Sequence, residues 1–180
     1  MENRLKTLTT ASVDVEPGPG TAAVAVVAAE GFRLLVVKRA VRSEDPWSGQ
    51  IAFPGGRWKP GDTSLFETAL RELEEETGVQ RDFVKAIGPM QSISPANMPT
   101  LKVQPFLFIL QKETEPRPGP EVQKVFWLPL KGLEKKTLTV YSSYLRRDIT
   151  TLGYDYRGEV VWGMTARVIE RFEEMVRDGV

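Results

Sequence analysis

Residues 1–20 are mostly polar and end in Pro17-Gly18-Pro19-Gly20, a stretch that continues neither a helix nor a central strand. They read as an N-terminal arm, and the folded domain is expected over 21–180. Ala22 to Ala29 and Phe32 to Lys38 are runs of small or β-branched apolar residues around Glu30-Gly31. That is the pattern of two buried strands joined by a tight turn. A loop over 39–49 leads to a short strand, Ile51 to Phe53, stopped by Pro54-Gly55-Gly56, where the backbone can take conformations closed to other residues.

The clearest helix follows. Ser64 and Glu67 form an S-x-x-E capping pair and Gly78 stands at the C-terminal cap position, so the helix is predicted over 65–77. Phe66, Ala69, Leu70, Leu73 and Thr77 fall on one stripe at helical spacing and should face the core. Further strands are predicted over 84–90, 102–110 and 122–128, with a Pro-rich loop over 113–120. Val161, Met164, Val168, Phe172 and Met175 recur at threes and fours, predicting a closing helix over 161–175 that lies on the sheet. The sum is one α/β (α+β) domain with a mixed sheet and two main helices.

Composition narrows the chemistry. Twenty-four basic residues balance twenty-four acidic ones, so no excess positive charge marks a nucleic-acid partner. No apolar run approaches the roughly 20 residues of a membrane span, so no membrane partner is expected and the default location is cytoplasmic. The chain has no His and no Cys. Imidazole bases, thiolate nucleophiles and the usual zinc ligands are thereby excluded, and any metal must be a hard cation held by oxygen: Mg²⁺, Mn²⁺ or Ca²⁺.

Glu72, Glu75 and Glu76 stand at i, i+3 and i+4 on the first helix, beside its buried stripe. Like charges so placed repel, by about 0.2–0.5 kcal/mol per pair on an isolated helix, and a divalent cation is an efficient remedy. A solvated acidic face is the alternative reading. The wider stretch decides between them. Gly55-Gly56, a spacer, and Arg71-Glu72-Leu73-Glu74-Glu75-Glu76-Thr77-Gly78-Val79 resemble the R-E-U-x-E-E-x-G-U half of the Nudix box, and the chain looks like a Nudix hydrolase.

The resemblance implies a Nudix fold, a mixed β-sheet sandwiched between α-helices, hydrolysing a nucleoside diphosphate linked to another group with Mg²⁺ or Mn²⁺. It implies that Glu75 and Glu76 are metal ligands and that Glu72 is a ligand or the base that takes the proton of water. The Gly55 carbonyl would complete the shell, and Arg71 would orient the glutamates. The first half of the box departs from the family pattern: Asp62 holds the acidic position, and one extra residue separates it from Arg71.

Gly49-Gln50-Ile51-Ala52-Phe53-Pro54-Gly55-Gly56 is similar to the stretch typical of the coenzyme A pyrophosphatase branch, which also carries the lengthened box. Segments around Trp127 and Trp162 resemble the same branch, and these two side chains are expected to pack the core. Of the basic residues that the branch implies, Arg39 fits, Glu44 and Asp45 occupy the places where the second arginine is expected, and Arg42 lies nearby. Arg39, Arg42, Trp47 and Gly56 are therefore the expected substrate-binding residues, with Trp58 a further candidate to stack on a base. Glu121 is the expected loop carboxylate of the catalytic set, in competition with Glu113 and Glu115. Pro95 falls at a spacing seen in ADP-ribose pyrophosphatases, although ordinary turn chemistry also accounts for it. Two alternatives accompany the coenzyme A reading: an ADP-ribose or nucleoside-triphosphate hydrolase, and a catalytically silent nucleotide-binding module. The resemblance also allows a homodimer.

Overall fold

The computed structural model describes residues 2–6, 9–10, 12–43 and 45–177; Glu44, and the side chain of Met175 expected in the closing helix, lie outside the described set. In chain order the elements are α1 (Glu2–Leu5), β1 (Thr21–Ala29), β2 (Arg33–Arg39), β3 (Ile51–Ala52), β4 (Gly55–Arg57), α2 (Leu65–Thr77), β5 (Val84–Pro89), β6 (Lys102–Leu110), β7 (Val122–Pro129), β8 (Lys135–Ser142), β9 (Arg147–Tyr156), β10 (Glu159–Trp162) and α3 (Gly163–Arg177).

β1 organises the main sheet. On one side it runs parallel to β6; on the other, its first residues pair with β4 and its last with β2, both antiparallel. β2 then pairs along its length with β7 and at its end with β3. Alternate β1 residues enter two cores. Ala23, Ala25 and Val27 join Leu65, Ala69, Leu70 and Leu73 of α2, whereas Ala22, Val24, Val26 and Ala28 join Ala166, Val168, Ile169 and Phe172 of α3. Burial on both faces explains why β1 reads as continuous apolar sequence rather than as alternation. The mixed sheet between helices expected from the sequence is therefore the observed architecture.

Three features differ from the sequence expectation. β8, β9 and β10 form a separate antiparallel sheet in a region to which the sequence patterns assigned no element. Its strands do alternate, with Val140 buried while Tyr141 is exposed. The turns that would announce them, however, place Arg146 and Arg157 at positive φ, where glycine or asparagine is the usual signal. The closing helix begins at Gly163 rather than Val161, because Val161 and Trp162 pair with Tyr154 and Gly153 and Gly163 turns the chain at φ 65°. Finally, the segment read as a polar arm contributes Leu5, fully buried, to the α3-side core, and Thr9 bridges Met90 beside β5.

Candidate active site

α2 has the ends that the sequence assigned to it. The Ser64 hydroxyl accepts from the Glu67 amide, and Gly78 takes the left-handed conformation at φ 68°. Its exposed C-terminal carbonyls are closed by the Pro-rich loop: Gly119 N–H donates to Glu76 O at 3.0 Å and Arg117 N–H to Thr77 O at 2.8 Å. A Cβ on Gly119 would lie 2.0 Å from Glu75 O, so the loop can seat there only without a side chain.

The helix presents its glutamates unequally. Glu72 and Glu76 are buried against β4, while the Glu75 side chain is about half exposed, at 52%. The Gly55 N–H donates to Glu76 Oε2 at 3.0 Å. A Cβ on Gly56 would lie 2.4 Å from Glu72 Oε1. The Gly-Gly pair was expected to allow unusual backbone angles; instead it forms a strand, and what it allows is close approach of two carboxylates to the sheet.

Arg71 joins these groups. Its Nη1 donates to Glu72 Oε1 at 2.6 Å and to Glu75 Oε2 at 3.1 Å. The rest of the fork is fixed by Asp62, which accepts from Nε and Nη2 at 2.9 Å each and also accepts from Thr68 Oγ1 and Lys59 N–H. The Arg71 hydrogen bonds hold the Asp62 carboxyl far below the usual carboxylate range, against the opposing effect of burial. Asp62 thus clamps Arg71 despite the extra residue between them.

Burial pushes the Glu76 carboxyl up to about 7; the Gly55 N–H and Arg39 act against this, and repulsion from Glu72 and Glu121 adds to it. Of the three loop candidates, Glu121 is therefore the one whose field reaches Glu76, and its carboxylate pairs with Arg42 at 3.1 Å. Arg39 pairs with Asp45 at 2.8 Å and approaches Glu76 at 3.9 Å. Lys59 has no place among the residues expected from the sequence, yet its Nζ lies 3.8 Å from Glu72 and 3.9 Å from Glu75. Its position three residues beyond Gly56 was the available signal.

Trp47 donates through Nε1 to Asn97 Oδ1 at 3.3 Å, joining the loop over 39–49 to the turn headed by Pro95, whose carbonyl accepts from Met98 N–H. Trp58 is occupied otherwise: its Nε1 donates to Asp62 O at 3.0 Å and its ring packs on the α2-side core. It closes the turn carrying Asp62. Trp127 packs against the same core, with Arg33 over its ring.

The donor chemistry fits a hard divalent cation. Glu72 and Glu76 supply buried oxygens, Glu75 and Glu121 stand alongside, and burial, with the charges of Glu72 and Glu121 adding to it, disfavours the ionised Glu76 carboxylate, a penalty that a cation would relieve. Among the described residues no three acidic groups already converge into a cage. In this arrangement Arg71, Lys59 and Arg39 provide the counter-charge.

A NUDIX domain model matches residues 18–148. The chain is 32% identical over 138 residues to the Nudix hydrolase NudL of Photorhabdus laumondii, covering 72% of this chain and 70% of that protein. It is 33% identical to NudL of Yersinia enterocolitica over 137 residues, 72% of this chain and 67% of that one. In fold it is similar to the NUDIX domain of Shewanella oneidensis NrtR, solved with ADP ribose, at a TM-score of 0.55 and 17% identity over 98% of this chain and 99% of that one. It is likewise similar to a C. elegans Ap4A hydrolase, at a TM-score of 0.52 and 18% identity over 62% of this chain and 80% of that one.

Proposed function

This chain belongs to the Nudix hydrolase family, pyrophosphohydrolases acting on phosphoanhydride bonds, and from that membership we propose that it cleaves the diphosphate of coenzyme A or an acyl derivative with Mg²⁺ or Mn²⁺. The observation that carries the reading is the stretch from Gly49 to Gly56. It forms β3 and the start of β4, whose Gly55 and Gly56 receive Glu76 and Glu72, and it is followed by a lengthened box in which Asp62 still holds Arg71.

In this reading Glu72, Glu75 and Glu76, with the Gly55 carbonyl, hold the metal ion, which supplies charge neutralisation at the diphosphate and an acidified water. Arg71 positions Glu72 and Glu75 through its Nη1 and cannot swing away, because Asp62 occupies its other two donors. Glu121, exposed on the loop that abuts the end of α2, takes the proton from the attacking water, or Glu72 does. Arg42 steadies Glu121 until substrate arrives. Gly56 leaves the space in which Glu72 sits, Trp47 borders the nucleoside, and Arg39 stands beside Glu76 facing the phosphates.

The test is product analysis with coenzyme A, dephospho-coenzyme A, ADP-ribose and nucleoside triphosphates in Mg²⁺ or Mn²⁺. Coenzyme A should yield 3′,5′-ADP and 4′-phosphopantetheine. A preference for ADP-ribose of about tenfold or more in kcat/KM, about 1.4 kcal/mol, overturns the coenzyme A assignment and leaves the hydrolase chemistry standing.

A further inference from the structure

The basic side chains nearest the site are nearly all matched to acids. Arg71 meets Asp62, Glu72 and Glu75; Arg39 meets Asp45 and Glu76; Arg42 meets Glu121; Lys59 approaches Glu72 and Glu75. Arg57, the last residue of β4, is exposed and differs from them. Among the described residues no carboxylate pairs with it, and its Nη2 rests 3.4 Å from Met98 Sδ.

Its direction is set by the strand. Successive side chains of a strand leave on opposite faces, so Arg57 projects away from the face on which Gly56 meets Glu72. Its partner across the ladder, Ala22, belongs to the α3-side core, as does the packing of Met98 and Trp47. The Trp47–Asn97 hydrogen bond adjoins Met98 in the chain. An uncompensated guanidinium therefore stands at the rim of a wall made of an indole, an amide and a thioether, one residue from the carboxylates but on the other side of the strand. Its backbone carbonyl also accepts from Arg71 Nη2 at 3.4 Å, tying its main chain to the site.

A charge-free partner and an exposed fork suit a dianionic oxygen cluster, which Arg binds through two parallel donors. The two arginines nominated from the sequence are already satisfied by carboxylates, so binding a phosphate there must first break an ion pair; at Arg57 it need not. Resting on the coenzyme A reading above, we propose that Arg57 is a specificity-determining residue that recognises a phosphate group lying outside the cleaved anhydride, the 3′-phosphate of the nucleoside.

The test compares ligands that differ only in that phosphate. Calorimetric titration of the wild type should show 3′,5′-ADP bound about tenfold or more tightly than AMP, the scale of a charge-assisted contact. Arg57→Ala and Arg57→Gln should bind both alike, and Arg57→Lys should retain part of the preference. In turnover, Arg57→Ala should raise KM for coenzyme A by about the same factor, leaving kcat and the KM for dephospho-coenzyme A unchanged. Equal affinity of the wild type for the two nucleotides, or equal weakening of both by Arg57→Ala, overturns the proposal. A wild type that cleaves no coenzyme A, yet shows a preference abolished in Arg57→Ala, retains the role of Arg57 as a phosphate reader and rejects the substrate reading alone.

Discussion

Replacing Gly119 by Ala tests how the loop and the catalytic helix hold one another. The added Cβ would stand 2.0 Å from the Glu75 carbonyl oxygen and 3.3 Å from Glu76 Cα. Contacts of a Cβ below 3.0 Å are essentially never seen, so loop and helix end must part by about 1 Å. That movement stretches the hydrogen bonds from Gly119 to Glu76 and from Arg117 to Thr77, which close the end of α2. Overpacking costs about 1–3 kcal/mol and each weakened bond about 0.5–1.5 kcal/mol, so a loss near 3 kcal/mol is expected. At about 2–4 °C per kcal/mol for a chain of this size, the melting temperature should fall by about 6–12 °C. Activity should suffer beyond stability, because the same displacement moves Glu75 and Glu76 relative to Glu121, and about 1 Å of misplacement can cost about 10²-fold in rate. The assay pairs calorimetric melting with kcat measured well below the transition. Gly18→Ala is the control, since a Cβ there has nothing within 4 Å. A Gly119→Ala protein that melts within a degree of the wild type and retains its kcat would refute the close approach and the positioning argument built on it.

Gly56→Ala should separate activity from stability. Its Cβ meets the flexible end of Glu72 rather than backbone, so the carboxylate can move aside and melting should change by less than about 1 kcal/mol, while kcat falls by about 10²; equal activity would show that Glu72 need not sit over the sheet. Asp62→Asn should destabilise the protein by about 1.5–3 kcal/mol at neutral pH by breaking the fork to Arg71. Because the folded carboxyl is held below its ordinary value of 3.8, this difference from the wild type is full above that pH and shrinks as the pH falls through the folded value; urea melts of both proteins at pH 7 and pH 3 check the sign, and a gap that widens in acid would contradict it. Glu75→Gln or Glu76→Gln should lower kcat by about 10² or more, and added Mg²⁺ should raise the melting temperature of the wild type but not of the double variant; full turnover in excess chelator, or an equal shift in both proteins, would place the stabilising metal elsewhere.

Those parts of the molecule that depend on local patterns are legible in the chain itself. The bounds of α2 follow from Ser64, Gly78 and the apolar stripe, and the burial of β1 on both faces follows from its unbroken apolar run. The absence of His and Cys restricts any metal site to oxygen ligands whatever the fold. The pairings between distant segments emerge only from the folded arrangement. Asp62 and Arg71 meet through two parallel hydrogen bonds although one extra residue separates them, which spacing along a chain cannot convey. Glu121 is distinguished from Glu113 and Glu115 by where the loop docks on the helix end, and that docking depends on Gly119 lacking a side chain. The distribution of counter-ions is decided in the same way: Arg39 and Arg42 face carboxylates and Arg57 does not. Helix and turn signals act over a few residues through backbone geometry and are written in the chain; charge pairing acts over a few ångströms in space, and only folding brings those residues together.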